Sequence, residues 1–375
     1  MAATIYEEAV AALSVPGAER TRAVRFIKNS IIGNRTKKEL YLSLGVAPRL
    51  VEFVADPSCD VDLQVQTAVV LGSFTYGRVS TLPSVSDAGI TLMPRPLAIG
   101  NEEQISAIIA AGAIPRLLHS LRSPDHRLVE ASARALKGLL HGSNSPRHDM
   151  LQPDTLANFV HLLSIPETAP TLPKPSSQDR VASIRIAEVV AIILAKIAVA
   201  PEDQLLITRA GAIPPLVRLL DVRWSSYSKV QEASVEALAG LARDNAEVSQ
   251  AIVDATTDDG QSATSQFFRL IRDTKPTTRL IVSACISNLY RTGMLPPGYN
   301  EDVALVVLRT LIRLFSEPPS FAKDSDPGWV EAQEKAPRIF AELVEHSEEL
   351  QKAAMEGDAI HKLAGLLLGG QGAEE

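Results

Sequence analysis

The sequence predicts an all-α solenoid built from short helical repeats, and three observations carry this prediction. A helical hairpin at residues 111–142 is followed by a similar one at residues 210–244, and both open on Ala-Gly-Ala-Ile-Pro. Apolar residues at offsets 0, 7, 8 and 11 from a starting residue recur in successive helices along the chain. The composition is 46% hydrophobic but 5% aromatic, and abundant leucine and alanine favour helices over strands. Because one hairpin cannot bury its own apolar face, the sequence requires stacked neighbours.

Within each hairpin the turn residues explain the fold-back. Gly112 permits a sharp bend, and Pro115 presets the first turn of the helix that follows. A Ser-Pro-Asp turn at residues 123–125 ends that helix before the next begins. Two helices are thereby directed against each other.

The recurring apolar pattern lies in the last helix of each repeat. Residues at offsets 0, 7, 8 and 11 share one face of a helix with 3.6 residues per turn. Six sets follow this pattern, and Thr278 is their only polar member. The sets are Leu63, Val70, Leu71, Phe74; Leu128, Ala135, Leu136, Leu139; Ile186, Ile193, Leu194, Ile197; Val230, Ala237, Leu238, Leu241; Thr278, Cys285, Ile286, Leu289; and Ala332, Ile339, Phe340, Leu343.

The spacing between sets indicates the repeat type. Their third members are 44 to 65 residues apart, and a unit of roughly 40 to 47 residues is the armadillo or HEAT period. We therefore predict one solenoid over residues 1–375, with loop insertions at 78–100, 164–180 and 316–328 and with Pro337 kinking its helix or marking a late start. The predicted repeats span approximately 20–77, 101–142, 150–200, 202–244, 247–293 and 300–346, with a partial repeat at 348–369. An array that ends on a partial repeat leads us to expect a shortened version of a longer protein.

Charge and cysteine content narrow the function classes. The net charge of −7 weighs against a general nucleic-acid or anionic-membrane binder. Cys59 and Cys285 are too few for a disulfide framework. Glu7 and Glu8 stand where a signal peptide would be basic, and the longest apolar stretch, 189–200, is too short to span a bilayer. We expect a soluble chain located in the cytoplasm and the nucleus.

Catalytic and metal-binding patterns are missing from the sequence. It contains no GxxxxGK[ST], GxGxxG, HExxH, GxSxG or CxxC motif. The histidines at positions 119, 126, 141 and 148 fall at turns and helix ends, where solvated histidines are common, and Cys285 lies on the apolar face. We expect a protein without catalytic activity, metal or cofactor.

The repeat unit GAIPxLLxxL followed by EASxxALxxL resembles the armadillo family over nearly the whole chain, which implies a right-handed superhelix. Segments 27–50 and 65–77, with KNSIIGNRTKK and AVVLGS, resemble the opening repeat of the armadillo subunit family of the GID/CTLH ubiquitin ligase. This resemblance implies a non-catalytic scaffold in ubiquitin-dependent degradation. It also implies docking on a LisH/CTLH scaffold subunit and a groove that holds the tail of a substrate receptor. In the family that groove lies largely in later repeats, so core docking is the firmer expectation.

Armadillo proteins bind extended peptides on a concave groove lined by the third helices. Import adaptors carry Asn at offset 10 with Trp four residues earlier, and Asn288 alone matches here. The expected groove is partly basic, and arginine pairs well with carboxylates, so an acidic or C-terminal peptide is the predicted ligand. The predicted groove residues are Gln66, Ser73, Tyr76, Arg134, His141, Lys196, Glu236, Arg243, Asn288, Arg291, Arg338 and Glu342.

Other readings of the same residues stay open. The groove residues are equally consistent with an ordinary solvated face, and the chain with a general nuclear-import or cytoskeletal adaptor. An enzyme would require a closed pocket, which a solenoid does not offer. Trp224 and Trp329, both expected to be exposed in loops, are weaker contact candidates.

Overall fold

The fold is described by a computed structural model over residues 4–75, 102–141, 147–165, 177–273, 275–316 and 327–369. In these ranges the regular structure is helical, apart from one isolated β-bridge between Thr256 and Ser262. Tertiary contacts divide the chain into two compact units, Met1–Ile193 and Leu194–Glu375.

The first unit contains helices α1 to α10 and most of α11. Their bounds are α1 Ile5–Ala12, α2 Ala18–Ile31, α3 Arg35–Ser43, α4 Val46–Val54, α5 Val61–Thr75, α6 Glu102–Ala110, α7 Ala113–Ser120, α8 His126–Leu139, α9 Arg147–Met150, α10 Pro153–Leu163 and α11 Ser177–Ile197.

The second unit contains the end of α11 and the helices that follow. Their bounds are α12 Pro201–Arg209, α13 Ile213–Arg218, α14 Ser228–Leu241, α15 Ala246–Asp254, α16 Ala263–Leu270, α17 Pro276–Arg291, α18 Asn300–Asp302, α19 Arg309–Ser316, α20 Pro327–Val344, α21 Glu348–Glu356 and α22 Ala359–Gly369. Two 3-10 turns lie at Val222–Tyr227 and Pro297–Tyr299, and a π-helical segment at Val303–Leu308 joins α18 to α19.

Local chemistry fixes where the helices begin. The side chains of Asn34, Asp125, Asn245 and Ser347 each accept a hydrogen bond from a backbone amide in the first turn of α3, α8, α15 and α21. Such a cap contributes about 1 kcal/mol. The predicted bend before α7 is a left-handed residue, Gly112, whose φ is 83°, a conformation that glycine adopts without steric cost.

In the first unit α5 packs closely against α8, and two glycines permit the approach. A Cβ on Gly72 would lie 3.3 Å from the Cα of Ala135, and a Cβ on Gly138 would lie 2.0 Å from Thr75 Oγ1. On its other side α5 packs against α2. The third helices of this unit therefore stack side by side at a spacing that side chains at these two positions would prevent.

In the second unit α17 packs between α14 and α20. A buried polar network links α12, α14 and α15. Gln204 Nε2 donates to the backbone oxygens of Gly240 and Arg243, at 3.1 and 3.2 Å, and Gln204 Oε1 accepts from Asn245 Nδ2 at 2.9 Å. This network satisfies carbonyls at the end of α14 that the helix itself cannot pair.

The apolar pattern read from the sequence forms the core of the third helices. Every member of the six sets is buried except Ile339, which is half-buried. Cys285 is fully buried, as predicted. The offsets 0, 7, 8 and 11 therefore identify the packed face correctly in five sets and in three of the four positions of the sixth.

Two expectations differ from the structure, and one of the two alternatives for Pro337 is excluded. Trp224 is 4% exposed within the 3-10 turn, and Trp329 is 9% exposed within α20, so the prediction that both are exposed in loops is wrong. Pro337 does not mark a late helix start, because α20 begins ten residues earlier at Pro327.

The predicted insertions are described only at their edges. Residues 78–100, 166–176 and 317–326, which hold most of them, lie outside the described residues. α11 begins at Ser177 and α20 at Pro327, both inside the predicted insertions 164–180 and 316–328.

Candidate protein-binding surface

In the first unit the predicted groove residues lie on the exposed faces of α5 and α8. Gln66 is half-buried, and its Oε1 accepts from Lys28 Nζ of α2 at 2.7 Å. Ser73 Oγ donates to the Val69 backbone oxygen at 2.8 Å. His141 is exposed just after α8. Tyr76, the fifth predicted residue near these helices, lies outside the described residues.

Arg134 is an accessible charged side chain of α8. It projects from α8 with its side chain 52% exposed, and Nη2 lies 2.8 Å from Glu130 Oε1 one turn earlier. Exposed pairs at this spacing contribute only a few tenths of a kcal/mol.

The N-terminal end of α8 is held by a stronger pairing. Arg127 Nε and Nη2 lie 3.2 and 2.8 Å from the two carboxylate oxygens of Asp125. This side-chain hydrogen bonding lowers the pKa of Asp125. The pair keeps the capping carboxylate ionised and fixes the start of the helix that carries Arg134.

In the second unit Glu236 and Arg243 are exposed on α14 and just beyond it, and Lys196 is half-buried near the end of α11. Asn288 of α17 is 8% exposed, and its Nδ2 donates to the Ala239 backbone oxygen at 2.8 Å. The amide of the one residue that matches the import-adaptor pattern is therefore engaged with the neighbouring third helix.

Three predicted residues, Arg291, Arg338 and Glu342, come together at the C-terminal ends of α17 and α20. There they adjoin a cleft of about 540 Å³, which we name the Arg291 cleft. Its lining residues are Asp244, Ala246, Tyr290, Arg291, Thr292, Glu342, Leu343, His346 and Ser347.

The charged groups of the Arg291 cleft form two ion pairs. Arg291 Nη2 lies 3.2 Å from Asp244 Oδ1, and Arg338 Nε lies 2.8 Å from Glu342 Oε1. The Arg291 side chain is 24% exposed, whereas those of Asp244 and Arg338 are 64% and 81% exposed. The guanidinium of Arg291 is thus the inner charge, and the others lie at the rim.

Sequence reasoning missed most of the cleft. Several lining residues lie where the last helix of one repeat meets the first helix of the next repeat, outside the offset pattern. They are Asp244, Tyr290, His346 and Ser347. Tyr290 Oη and Ser347 Oγ are 3.1 Å apart although 57 positions separate them in the chain. Asp244 is the third residue after α14 and Gly293 the second residue after α17, and both have positive φ.

Three observations on the described ranges concern metal binding, the buried cysteine and membrane insertion. No group of three or more His, Cys, Asp or Glu side chains could hold a metal ion there. Burial raises the pKa of the Cys285 thiol far above its usual range, so this cysteine stays protonated and unreactive. None of the described helices is both long enough and apolar enough to cross a membrane.

Two segments of the chain match a known repeat family, and most of the chain is similar to a known protein. Residues 101–140 and 201–243 match the Armadillo/beta-catenin-like repeat family. The chain is 25% identical to mouse Armadillo repeat-containing protein 8 over 88% of its length. Over 27% of the length of this chain, it is 32% identical to GID complex subunit 5 of Schizosaccharomyces pombe. It spans about two fifths of the mouse protein, 41%, and 11% of the yeast protein.

Solved structures agree on the fold. A designed armadillo repeat protein superimposes with a TM-score of 0.57 at 20% identity, covering 76% of this chain and 99% of that one. Another, solved in complex with the peptide (KR)4, superimposes with a TM-score of 0.54 at 18% identity, covering 76% of this chain and 100% of that one. The predicted all-α armadillo fold class is confirmed.

Proposed function

We propose that this chain is a non-catalytic scaffold subunit of a GID/CTLH-type ubiquitin ligase. The premise is its armadillo-repeat fold and its similarity to Armadillo repeat-containing protein 8. In this role it links the ligase core to a substrate receptor in ubiquitin-dependent protein degradation. Two observations carry the proposal. The alignment with the mouse protein extends over 88% of the chain, and a second relative is named as a subunit of the GID complex.

The geometry supports binding rather than catalysis. Within each unit, helices stack through buried apolar faces and leave charged side chains exposed, Arg134 in the first unit and Glu236 and Arg243 in the second. Arginine side chains of this kind recognise carboxylates with directional hydrogen bonds. The partners we propose are a LisH/CTLH scaffold subunit and the tail of a substrate receptor, in the cytoplasm and the nucleus.

A binary binding assay tests the proposal. The purified chain is mixed with the LisH/CTLH scaffold subunit of the same organism and analysed by size-exclusion chromatography with light scattering. We expect a complex of the two proteins. Separate elution at all concentrations would contradict docking on the ligase core.

A nuclear-import adaptor is the alternative that the sequence left open. Import adaptors bind with repeated Asn and Trp side chains, and the positions four residues before the offset-10 residue here hold Val69, Arg134, Ile192, Glu236, Ala284 and Arg338. The lone Asn288 donates its amide to the backbone of α14. We therefore propose the ligase scaffold in preference.

A further inference from the structure

The Arg291 cleft has the position and size of a ligand site. It lies where the C-terminal ends of α14, α17 and α20 meet the first turns of α15 and α21. Its volume of about 540 Å³ falls within the range of roughly 300–1,000 Å³ that is typical of ligand-binding clefts. All of its lining residues belong to the second unit, Leu194–Glu375.

The inner charge of the cleft is incompletely paired. A guanidinium carries five N–H donors. Within the second unit's described residues, Arg291 has one ionic partner, a single oxygen of Asp244 at 3.2 Å. The Arg291 side chain is 24% exposed and lines the cleft, so its remaining donors are left to solvent rather than to acceptors of the chain. A second carboxylate would satisfy donors that the chain itself leaves unused.

The neutral groups around Arg291 also favour an anionic ligand. Tyr290 and Ser347 share a hydrogen bond of 3.1 Å whose donor could turn toward a new acceptor. Ala246 is the first residue of α15 and lines the cleft. Amide groups of the first helical residues have no acceptor inside their own helix, and Asn245 caps only Val248. Leu343 adds an apolar wall beside these donors.

The acidic groups of the cleft lie nearer the solvent. The side chains of Asp244 and Glu342 are 64% and 37% exposed, and each is neutralised by an arginine. Asp244 has a φ of 53°, which holds its carboxylate beside Arg291 from outside the helix. It therefore occupies the place that an incoming carboxylate would take.

We infer that the Arg291 cleft binds an acidic segment of a partner protein, with one side-chain carboxylate displacing Asp244 from Arg291. This inference rests on the proposed scaffold function, since it names the chemistry of one partner contact. A basic segment bound between Asp244 and Glu342 is the competing occupant. The two are distinguished by the sign of the effect when the rim carboxylates are neutralised.

Three fluorescein-labelled nine-residue peptides with blocked ends test the ligand chemistry. Each alternates leucine with glutamate, glutamine or lysine, and binding to the full chain is measured by fluorescence anisotropy. We expect the glutamate peptide to bind and the glutamine peptide to bind at least tenfold more weakly, because a charge-assisted hydrogen bond is replaced by a neutral one. Equal binding of the two, or preferential binding of the lysine peptide, would overturn the inference.

Two variants locate the site. Arg291→Met keeps an unbranched side chain similar to the aliphatic part of arginine but removes the charged guanidinium, and we expect about a tenfold loss of affinity for the glutamate peptide. Arg272→Met is the matched control, because Arg272 is exposed and lies outside the cleft. If Arg291→Met binds as the wild type does, the cleft is not the site.

The decisive variant is Asp244→Asn. Asparagine tolerates the left-handed conformation, so the backbone is preserved while the internal competitor is removed. We expect affinity for the glutamate peptide to increase about twofold to fivefold, the range of an exposed ion pair. A decrease would show that Asp244 supports binding rather than competing with the ligand, and it would overturn the inference. This gain of affinity cannot arise from a folding defect.

The outcomes separate this inference from the proposed function. Loss of peptide binding together with a retained complex with the LisH/CTLH subunit would refute the cleft and leave the scaffold role intact. Peptide binding that follows the predicted signs, without any complex, would support the cleft and refute the ligase assignment.

Discussion

Gly138 offers the sharpest test of how the third helices pack. It lies on α8 at offset 10, and the sequence pattern places it on the groove face together with Gly240 of α14. In the structure the two differ. A Cβ at Gly138 would meet Thr75 Oγ1 at 2.0 Å and Thr75 Cβ at 2.9 Å, whereas a Cβ at Gly240 would approach the Ala195 backbone oxygen at 3.4 Å.

The contacts at Gly138 determine how much Gly138→Ala should lower the free energy of unfolding. Rotating the Thr75 side chain could move Oγ1, but its Cβ is fixed to the backbone of α5, so the two helices must separate. Forcing an extra methyl group into a packed interface costs typically 1–3 kcal/mol, and replacing glycine by alanine inside a helix returns about 1 kcal/mol. Because the new Cβ would lie only 2.9 Å from Thr75 Cβ, the upper part of the overpacking range applies, about 2–3 kcal/mol, and we expect a net destabilisation of about 1–2 kcal/mol.

Gly240→Ala is the matched control. Its new methyl group makes an ordinary contact, so the helix propensity dominates and stability is expected to rise by up to about 1 kcal/mol. Urea unfolding followed by circular dichroism compares the two variants, and hydrogen exchange of α5 and α8 assigns the effect to the first unit. If Gly138→Ala unfolds at the same urea concentration as the wild type, the close packing of α5 on α8 is wrong.

Three further predictions concern the binding face, the polar network and the last helix. Reversal of Arg134 and Arg243 to Glu is expected to weaken partner binding at least tenfold in a pull-down titration with little change in melting temperature, since both are exposed; unchanged affinity would show that they are only solvated. Gln204→Ala removes the side-chain donor to the Gly240 and Arg243 carbonyls and leaves the Asn245 amide with only the Pro201 carbonyl at 3.4 Å, so urea unfolding should show a loss of about 2–3 kcal/mol, and a loss below about 0.5 kcal/mol would contradict the network. Amides in Ala359–Gly369 should exchange much faster than those of α17, because Ile360 is 69% exposed; equal protection would mean that this helix is covered in solution.

Periodicity predicted the core because each third helix is buried on adjacent faces by its neighbours. The same burial recurs in every repeat, so a fixed spacing of apolar residues predicts which side chains are buried. The pattern weakens at Ile339, two residues beyond Pro337, where the helix lacks one backbone donor. The tryptophans were misplaced because the segments around Trp224 and Trp329 fold into helical turns that no strong sequence signal marks.

The binding surface was predicted less well, for a physical reason. Offsets along one helix show which side chains face outward, but they do not show which neighbour a side chain contacts. Asn288 turns its amide to the backbone of α14, and the Arg291 cleft is assembled from the ends of three helices distant in sequence. Such convergence depends on how the repeats stack, which a single repeat does not encode.

The measurement that tests the central proposal most directly is quantitative affinity purification of the tagged full chain from native extract, with the co-isolated proteins identified by mass spectrometry. The scaffold role predicts recovery of LisH/CTLH and RING subunits of a ubiquitin ligase in near-stoichiometric amounts. Recovery of import carriers or cytoskeletal proteins, with no ligase subunit above the untagged control, would contradict it.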